Sequence, residues 1–249
     1  MNRLKSEIID GAAWSPVAPF LARLKTLVSL TEAETQFVVS LQSAPQHYAV
    51  GTQVYTEGDQ RLRSWIVASG WACRLRTLPD GRRQIISIFL PGDTIGVNEI
   101  LHPAAQCSIT AITELQLLGA SKLLEALENP HSGMPNLAEA FAKEAIRQRA
   151  QQIDHILRLG RLTARERTAH LFLELHDRMK NAGQAHDGRY PVPLTQSQFG
   201  EALGLSLVHV NRTMQQLRRD GLIELKSGWV SILDRERMEL LCDFRTIKV

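Results

Sequence analysis

The chain has 249 residues, of which 44% are apolar, with a formal net charge of +3 and a pI near 8.9. This length allows one large or two modest domains with real cores, and the mild positive charge permits a polyanionic partner without requiring one. The apolar runs are far shorter than the roughly 18 residues that cross a bilayer, and no signal-peptide core follows the N-terminus, so we expect a cytoplasmic protein with no membrane partner.

The first 120 residues divide into a helical and a β-rich part. Phe20, Leu24, Leu27 and Val28 recur at helical spacing within residues 1–45, and Thr31 is typical of a second helix start. From about Tyr48 to about Ala120, short β-prone segments alternate with Gly, Pro and Asp turn signals. This pattern predicts a compact antiparallel barrel or sandwich.

A long helix is predicted next. Apolar residues step along one side of it by four and three, an a/d spacing, at Ile146, Ala150, Ile153 and Leu157. Leu137 and Phe141 lie off this seam and are expected to pack on the β domain. So short a seam is equally typical of ordinary core packing, but its place between two domains favours pairing with a second copy of the chain.

The C-terminal part contains two short helices joined by a tight turn. A further helix after Gly160 ends near Asn181 and Gly183, and "QAHDGRY" is predicted to be a surface loop. Thr195 and Gln198 then form a capping-box pattern, and "GLS" supplies a turn in which Ser206 can cap the next helix. This arrangement predicts a helix-turn-helix, and "GLIELKSGWVSIL" predicts a β-hairpin wing behind it, with Lys226 at the tip as a phosphate contact or an ordinary surface lysine.

The second of these helices has an unusual polar face. At 100° per residue one side is apolar, and the other carries Val208, Arg212, Gln215 and Arg219 with no carboxylate until Asp220. A solvated face usually mixes Glu with Lys, whereas Arg, Gln and a small apolar group match guanine, adenine and the thymine methyl in the major groove. The predicted DNA-contacting residues are Thr195, Ser206, Val208, His209, Asn211, Arg212, Gln215 and Arg219.

The stretches "GTQVYTEGD", "GWACRLRTLPDGRRQIISIFLPGDTIG" and "LTQSQFGEALGLSLVHVNRTMQQLRRDGLIEL" resemble the Crp/Fnr family of bacterial transcription regulators. The resemblance implies an α+β protein with three parts: an N-terminal cyclic-nucleotide-binding-like β-roll, or jelly roll, over residues 1–133; a dimerisation helix over 134–160; and a winged helix-turn-helix domain over 161–249. It further implies a homodimer on a near-palindromic operator, with one recognition helix (206–219) per half-site, and contact with RNA polymerase. Family members usually carry Glu where Val208 stands, and Arg212 matches a guanine-contacting Arg.

The family's known sensors fit this sequence poorly. Cyclic-AMP-binding members hold the nucleotide with a Glu and an Arg-Ser pair, but Val97, Ala105 and Gln106 stand near those positions, and residues 91–121 contain no Arg or Lys. The first 72 residues contain no cysteine for an iron-sulfur cluster. No cofactor is therefore predicted, although haem through His47 or His102 and an unknown small effector stay open.

The remaining candidates are an effector pocket and two other classes of function. The residues assigned to the effector pocket are Arg82, Arg83, Asn98, Glu99 and Cys107. The three cysteines form no CxxC pair and are expected to be small buried residues, with a redox sensor at Cys107 as the alternative. A regulatory module that acts on a protein partner would not need the polar helix face that carries Val208, Arg212, Gln215 and Arg219. A cupin-like enzyme would need a His-x-His metal site, which the chain lacks, so we predict no enzyme and no metal site.

Overall fold

The computed structural model describes residues 15–60, 62–97, 104–129 and 131–248. Two helices, α1 (Ala18–Lys25) and α2 (Glu32–Ser40), lead into the β-rich part. Thr31 and Glu34 form the capping box expected at the start of α2. The buried Glu34 carboxylate also accepts a hydrogen bond from the backbone N–H of Leu137 at 3.0 Å, which ties α2 to the start of the long helix.

Within the described part of the β-rich region, eight strands form two four-stranded antiparallel sheets. The first sheet has the order β1 (Gln46–Tyr48), β8 (Leu115–Gly119), β3 (Trp65–Ser69) and β6 (Thr94–Ile95). The second has the order β2 (Gln53–Tyr55), β7 (Ser108–Ala111), β4 (Ala72–Thr77) and β5 (Arg83–Phe89). The expected β-roll is confirmed, and two glycines among its turn signals, Gly81 and Gly92, both have positive φ.

Alternation of side chains along the strands creates three layers. Val67 points into the core between the two sheets, where it lies with Trp65, Phe89 and other apolar residues. Its neighbour Ile66 points to the opposite face, where the helices cover it. Because successive residues of a strand face opposite sides, both faces of this strand are apolar and buried.

Two helices follow β8, the last strand of the β-roll. The short helix α3 (Ser121–Glu128) was not predicted, whereas α4 (Pro135–Gly160) occupies the segment assigned to the linking helix. Leu137 and Phe141 pack in the cluster that covers the first sheet, as expected. Ala150 is half-buried, while Ile146, Ile153 and Leu157 are 58%, 57% and 45% exposed, so the predicted seam is a solvent-facing apolar strip within this chain. Ile156, at 70% exposure, extends the strip.

The C-terminal domain contains four helices and a three-stranded sheet. Its elements are α5 (Ala164–Asn181), β9 (Arg189–Pro191), α6 (Gln196–Leu203), α7 (Leu207–Arg219), β10 (Ile223–Lys226), β11 (Trp229–Ile232) and α8 (Arg235–Cys242). The prediction of a surface loop at 184–190 is wrong at its end, because Arg189 and Tyr190 pair with β11 as an edge strand. Tyr190 is fully buried, and its hydroxyl donates to the Phe172 carbonyl at 2.6 Å. Among the described residues, no helix is long and apolar enough to cross a membrane.

The two domains share one apolar core. Cys73, Ile85 and Ile88, on the outer face of the second sheet, belong to the same buried cluster as Phe172 and Phe199 of the C-terminal domain. Burial raises the pKa of the thiols of Cys73 and Cys242 to about 12, and it also raises the pKa of the half-buried Cys107. All three thiols therefore stay protonated near neutral pH. Cys73 and Cys242 are buried, as expected, whereas Cys107 is only half-buried.

Candidate DNA-binding surface

Helices α6 and α7 form the predicted helix-turn-helix. Thr195 and Gln198 make a reciprocal capping box at the start of α6, and the helix ends at Gly204 with a φ of +64°. A Cβ on Gly200 would lie 2.6 Å from the carbonyl oxygen of Leu205. Only glycine therefore fits where α6 passes this close to the turn, a requirement that the sequence reasoning missed.

Helix α7 has the two faces that the periodicity predicts. Val210, Thr213, Met214 and Leu217 are all buried. The opposite side is solvent-facing: Val208 is 74% exposed, and Arg212, Gln215 and Arg219 are also exposed. Asn211 is half-buried beside them. An apolar side chain so exposed at the start of a helix contributes nothing to this domain's own core.

The start of α7 contains a further polar pair. The Ser206 side chain caps the helix by accepting from the His209 N–H at 3.4 Å, and its Oγ lies 2.9 Å from His209 Nδ1. Both side chains are exposed at the end of the helix where free N–H groups attract anions. Thr195 Oγ1 accepts from the Gln198 N–H at 3.2 Å, which places it at the corresponding end of α6.

Two arginines of α5 support the motif, and the sequence reasoning missed both. Arg165 pairs with Asp220, the acid at the end of α7, and Gln216 donates to the same carboxylate at 2.9 Å. Arg167 donates to the Leu203 carbonyl at 3.1 Å, which satisfies an acceptor at the end of α6. These contacts neutralise the acid that follows the last residue of α7 and fix both helices against α5. No short motif indicates them, because they join residues 36 or more positions apart.

The β-hairpin wing follows α7 in the chain and also lies next to it in space. The β10–β11 hairpin turns at Ser227 and Gly228, both with positive φ, and Lys226 is exposed at its tip. The guanidinium of Arg189, from the edge strand β9, lies 4.8 Å from the centre of the Trp229 ring. A cation–π contact of this kind holds Arg189 against the wing.

Of the residues assigned to an effector pocket, Arg82, Arg83 and Cys107 lie within the described ranges. Arg82 pairs with Asp80 at 2.8 Å in the β4–β5 turn, and Arg83 pairs with Glu201 of α6 at 2.7 Å. Neither these arginines nor Cys107 lines the cavity of about 290 Å³ that is bordered by β5, α4 and α5. Asn98 and Glu99 lie outside the described residues, as does His102, one of the two haem candidates. The other, His47, is exposed on β1. No cluster of three His, Cys, Asp or Glu that could hold a metal ion occurs within the described ranges.

A two-sheet β-roll followed by a long helix and a winged helix-turn-helix defines the class of DNA-binding transcription regulators with an N-terminal sensor-like domain. Residues 166–241 match the Crp-like helix-turn-helix domain family, and residues 45–128 match the cyclic nucleotide-binding domain family. The chain belongs to the Crp/Fnr family of bacterial transcription regulators.

Curated relatives and a solved structure agree with this assignment. The nitrogen fixation regulation protein FixK of Bradyrhizobium diazoefficiens is 33% identical over 198 residues, which cover 78% of this chain and 80% of FixK. The transcriptional activator protein FnrL of Cereibacter sphaeroides is 30% identical over 186 residues, or 72% of each chain. The structure of FixK2 from Bradyrhizobium japonicum superposes with a TM-score of 0.65 at 29% identity, covering 79% of this chain and 96% of that one.

Proposed function

We propose that this protein is a cytoplasmic, homodimeric regulator that recognises a near-palindromic operator through α7. The observation that carries the proposal is the solvent-facing side of α7, where Arg212, Gln215 and Arg219 are exposed with no carboxylate among them. Arg can form a bidentate pair with guanine, and Gln can do so with adenine. A transcription regulator of this kind needs no catalytic residues, and it acts by contact with RNA polymerase.

Val208 is the residue that makes the proposal specific. Val208 is the most exposed apolar residue of α7, with a fractional exposure of 74%. It stands at the position where family members usually carry Glu. A small apolar group in the major groove fits against the thymine methyl, whereas a glutamate accepts from cytosine N4. We therefore expect the half-site to contain a thymine at the position that Val208 faces.

Phosphate contacts would position the helix without reading sequence. Ser206, His209 and Thr195 lie at the N-terminal ends of α6 and α7, where hydroxyl, imidazole and backbone N–H groups can meet phosphate oxygens. Lys226 at the wing tip would add a charged contact. Binding should therefore weaken steeply as salt rises.

The second copy is expected along α4. Ile146, Ile153, Ile156 and Leu157 form an exposed apolar strip on a single helix of 26 residues, which is about 39 Å long at 1.5 Å per residue. Apolar side chains at this spacing pack against their own copies in a two-stranded coiled coil. Pairing along α4 would place two copies of α7 to meet two half-sites about one DNA turn apart.

Fluorescence anisotropy with operator and random duplexes tests the role of Arg212. Arg212→Ala should lower the preference for the operator by about 1 to 3 kcal/mol per half-site. Arg82→Ala is the matched control, because it removes the same charge from an exposed position of the β-roll. An unchanged ratio of operator to random affinity in Arg212→Ala would show that Arg212 does not read the operator.

Sedimentation velocity tests the dimer independently of DNA. Ile153→Asp places a charge in the middle of the strip and should convert the dimer to a monomer, whereas Val50→Asp, at an exposed apolar position of the β-roll, should leave it a dimer. A wild-type profile for Ile153→Asp would exclude α4 as the interface.

A further inference from the structure

The N-terminal end of α7 exposes two adjacent apolar side chains. Leu207 is 53% exposed and Val208 is 74% exposed. Leu205, two residues earlier, packs against the core of the C-terminal domain, whereas neither Leu207 nor Val208 belongs to a core cluster of the described ranges. We call Leu207 and Val208 the apolar pair. Packing within the domain therefore does not account for the apolar character of this pair.

The stability of α7 does not account for the apolar pair either. Ser206 is the N-cap, so Leu207 and Val208 are the first two residues of the helix. The helix macrodipole favours Asp or Glu in this first turn, but residues 207–210 contain neither. Valine is also a weaker helix former than glutamate. An apolar contact with another molecule explains this choice of residues better than helix stability does.

The apolar pair is continuous with the polar face of α7. Arg212 lies four residues after Val208, and Asn211 lies four residues after Leu207, so each apolar side chain has a polar neighbour one turn along the helix. The N-terminal residues of a recognition helix are the ones that contact base edges in the major groove. The apolar pair is therefore at the end of α7 that meets the bases.

The apolar group that a thymine presents in the major groove is the methyl group on its C5 atom. In 5-methylcytosine the same ring carbon carries the same methyl group. The two bases differ at position 4, where O4 of thymine accepts a hydrogen bond and N4 of cytosine donates one. Because leucine and valine side chains have no polar atoms, they can respond to the methyl group but not to the group at position 4.

We propose that the apolar pair binds C5-methyl groups of pyrimidines in the major groove, so that 5-methylcytosine replaces thymine there and methylation of cytosine strengthens binding. This inference rests on the proposed recognition of an operator through α7. It adds Leu207 as a residue that contacts bases, and it makes DNA methylation a means of changing the affinity. A glutamate at position 208 would instead accept from cytosine N4 whether or not the base is methylated.

Fluorescence anisotropy tests the role of the methyl group with an operator duplex that the purified full chain has selected from a random library. Each thymine of the half-site is replaced in turn, in both half-sites, by deoxyuridine, which lacks only the C5 methyl. At one or two neighbouring positions we expect the affinity to fall about fourfold for each methyl removed, as for the loss of one buried CH₂ group. Removal from both half-sites should lower it roughly 15-fold.

A second comparison uses cytosine at the same position. The thymine that responds to deoxyuridine is replaced in both half-sites by cytosine or by 5-methylcytosine, each paired with guanine. The 5-methylcytosine duplex should bind more tightly than the cytosine duplex, by about the same factor as thymine over deoxyuridine. The two factors should agree because the C5 methyl is the only group that changes within each comparison.

Serine variants assign the methyl contact to the apolar pair. Leu207→Ser and Val208→Ser each remove an exposed apolar side chain without changing the charge, and each should abolish the methyl effect at the base that its side chain faces. Val50→Ser makes the same change at a 61% exposed position of the β-roll and should keep the full effect. Circular dichroism checks that the variants fold, and the two comparisons with the wild-type chain need no variant.

Two methyl effects of similar size, lost in at least one of the apolar-pair variants and kept in Val50→Ser, support the proposal. Equal affinity for thymine and deoxyuridine at every position overturns it, and so does a methyl effect that is seen with thymine but not with cytosine. A methyl effect that persists in both Leu207→Ser and Val208→Ser also overturns it. If the operator is preferred over random duplexes without any methyl effect, this inference alone fails, whereas the lack of any such preference refutes the proposed function as well.

Discussion

Asp93 is a buried carboxylate at the contact between the two domains. It follows the Pro91–Gly92 corner, is 4% exposed, and its Oδ2 accepts from the Leu90 N–H at 2.7 Å and from Arg178 Nη2 at 2.7 Å. It also pairs with Arg23 of α1. Asp93→Asn keeps the shape of the side chain and removes its charge. One buried carboxylate therefore connects the β-roll to α5 of the DNA-binding domain.

The expected loss of stability in Asp93→Asn depends on which carboxylates Arg23 and Arg178 still contact after the substitution. Removing one partner of a buried ion pair costs about 3 to 5 kcal/mol. Arg23 retains Glu144 at 2.5 Å, and Arg178 retains Glu174 at 3.2 Å, so each guanidinium still has a carboxylate. We therefore expect Asp93→Asn to lower the free energy of unfolding by about 3 kcal/mol, at the lower end of that range.

Urea unfolding followed by circular dichroism measures this loss, with Asp80→Asn as the matched control. Asp80 pairs with Arg82 at 2.8 Å, but the two side chains are 53% and 76% exposed. An exposed pair contributes about 1 kcal/mol or less, so the control should unfold close to wild type. A loss below about 1 kcal/mol in Asp93→Asn, no larger than in the control, would refute the argument that this buried network holds the domains together.

Three further predictions concern the motif, pH and base preference. Gly200→Ala should lower the free energy of unfolding by about 1 to 3 kcal/mol and abolish operator binding, because its Cβ would lie 2.6 Å from the Leu205 carbonyl oxygen. Gly160→Ala is the control and should not change stability, because the space around Gly160 is open. Equal melting temperatures for the two variants would contradict this prediction. Burial and the neighbouring Arg158 lower the pKa of His170 from 6.5 to about 4. As the pH falls, His170 therefore becomes protonated in the unfolded chain before it does so in the folded chain, and the free energy of unfolding decreases between about pH 6.5 and pH 4. His170→Leu should flatten that slope in thermal melts, and an unchanged slope would be contrary to it. Val208→Glu should shift the preferred base pair facing it from T·A towards C·G in binding to duplexes varied at that position, and an unaltered preference would exclude the contact.

Local patterns in the sequence were enough to predict the helices of the binding surface. Val210, Thr213, Met214 and Leu217 repeat at helical spacing, and Ser206 has the chemistry of a cap, so both the limits and the buried face of α7 follow from neighbouring residues. The strands between Gly, Pro and Asp turns were found in the same way. Short elements without such patterns, such as β6 and α3, were missed because tertiary pairing and packing, more than their own residues, determine them.

The contacts between the domains could not be predicted in this way. Arg178 and Asp93 are 85 positions apart, and Arg83 and Glu201 are 118 apart. The sequence around Arg83 is the same whether its guanidinium faces an effector or pairs with an acid of α6. Only the packing of the second sheet on the C-terminal domain shows which of these two partners it has. For the same reason the cavity wall, which draws on α1, β4, α4 and α5, has no continuous motif in the chain.

Selection of bound sequences from a random duplex library, with the purified full chain, tests the central claim most directly. Two α7 helices related by the proposed α4 dimer predict an enriched inverted repeat whose half-sites are centred about 10 base pairs apart. Each half-site should contain a guanine facing Arg212 and a thymine facing Val208. Recovery of no enriched sequence, or of a single motif without an inverted partner, would contradict the account of a dimer that reads its operator through the exposed face of α7.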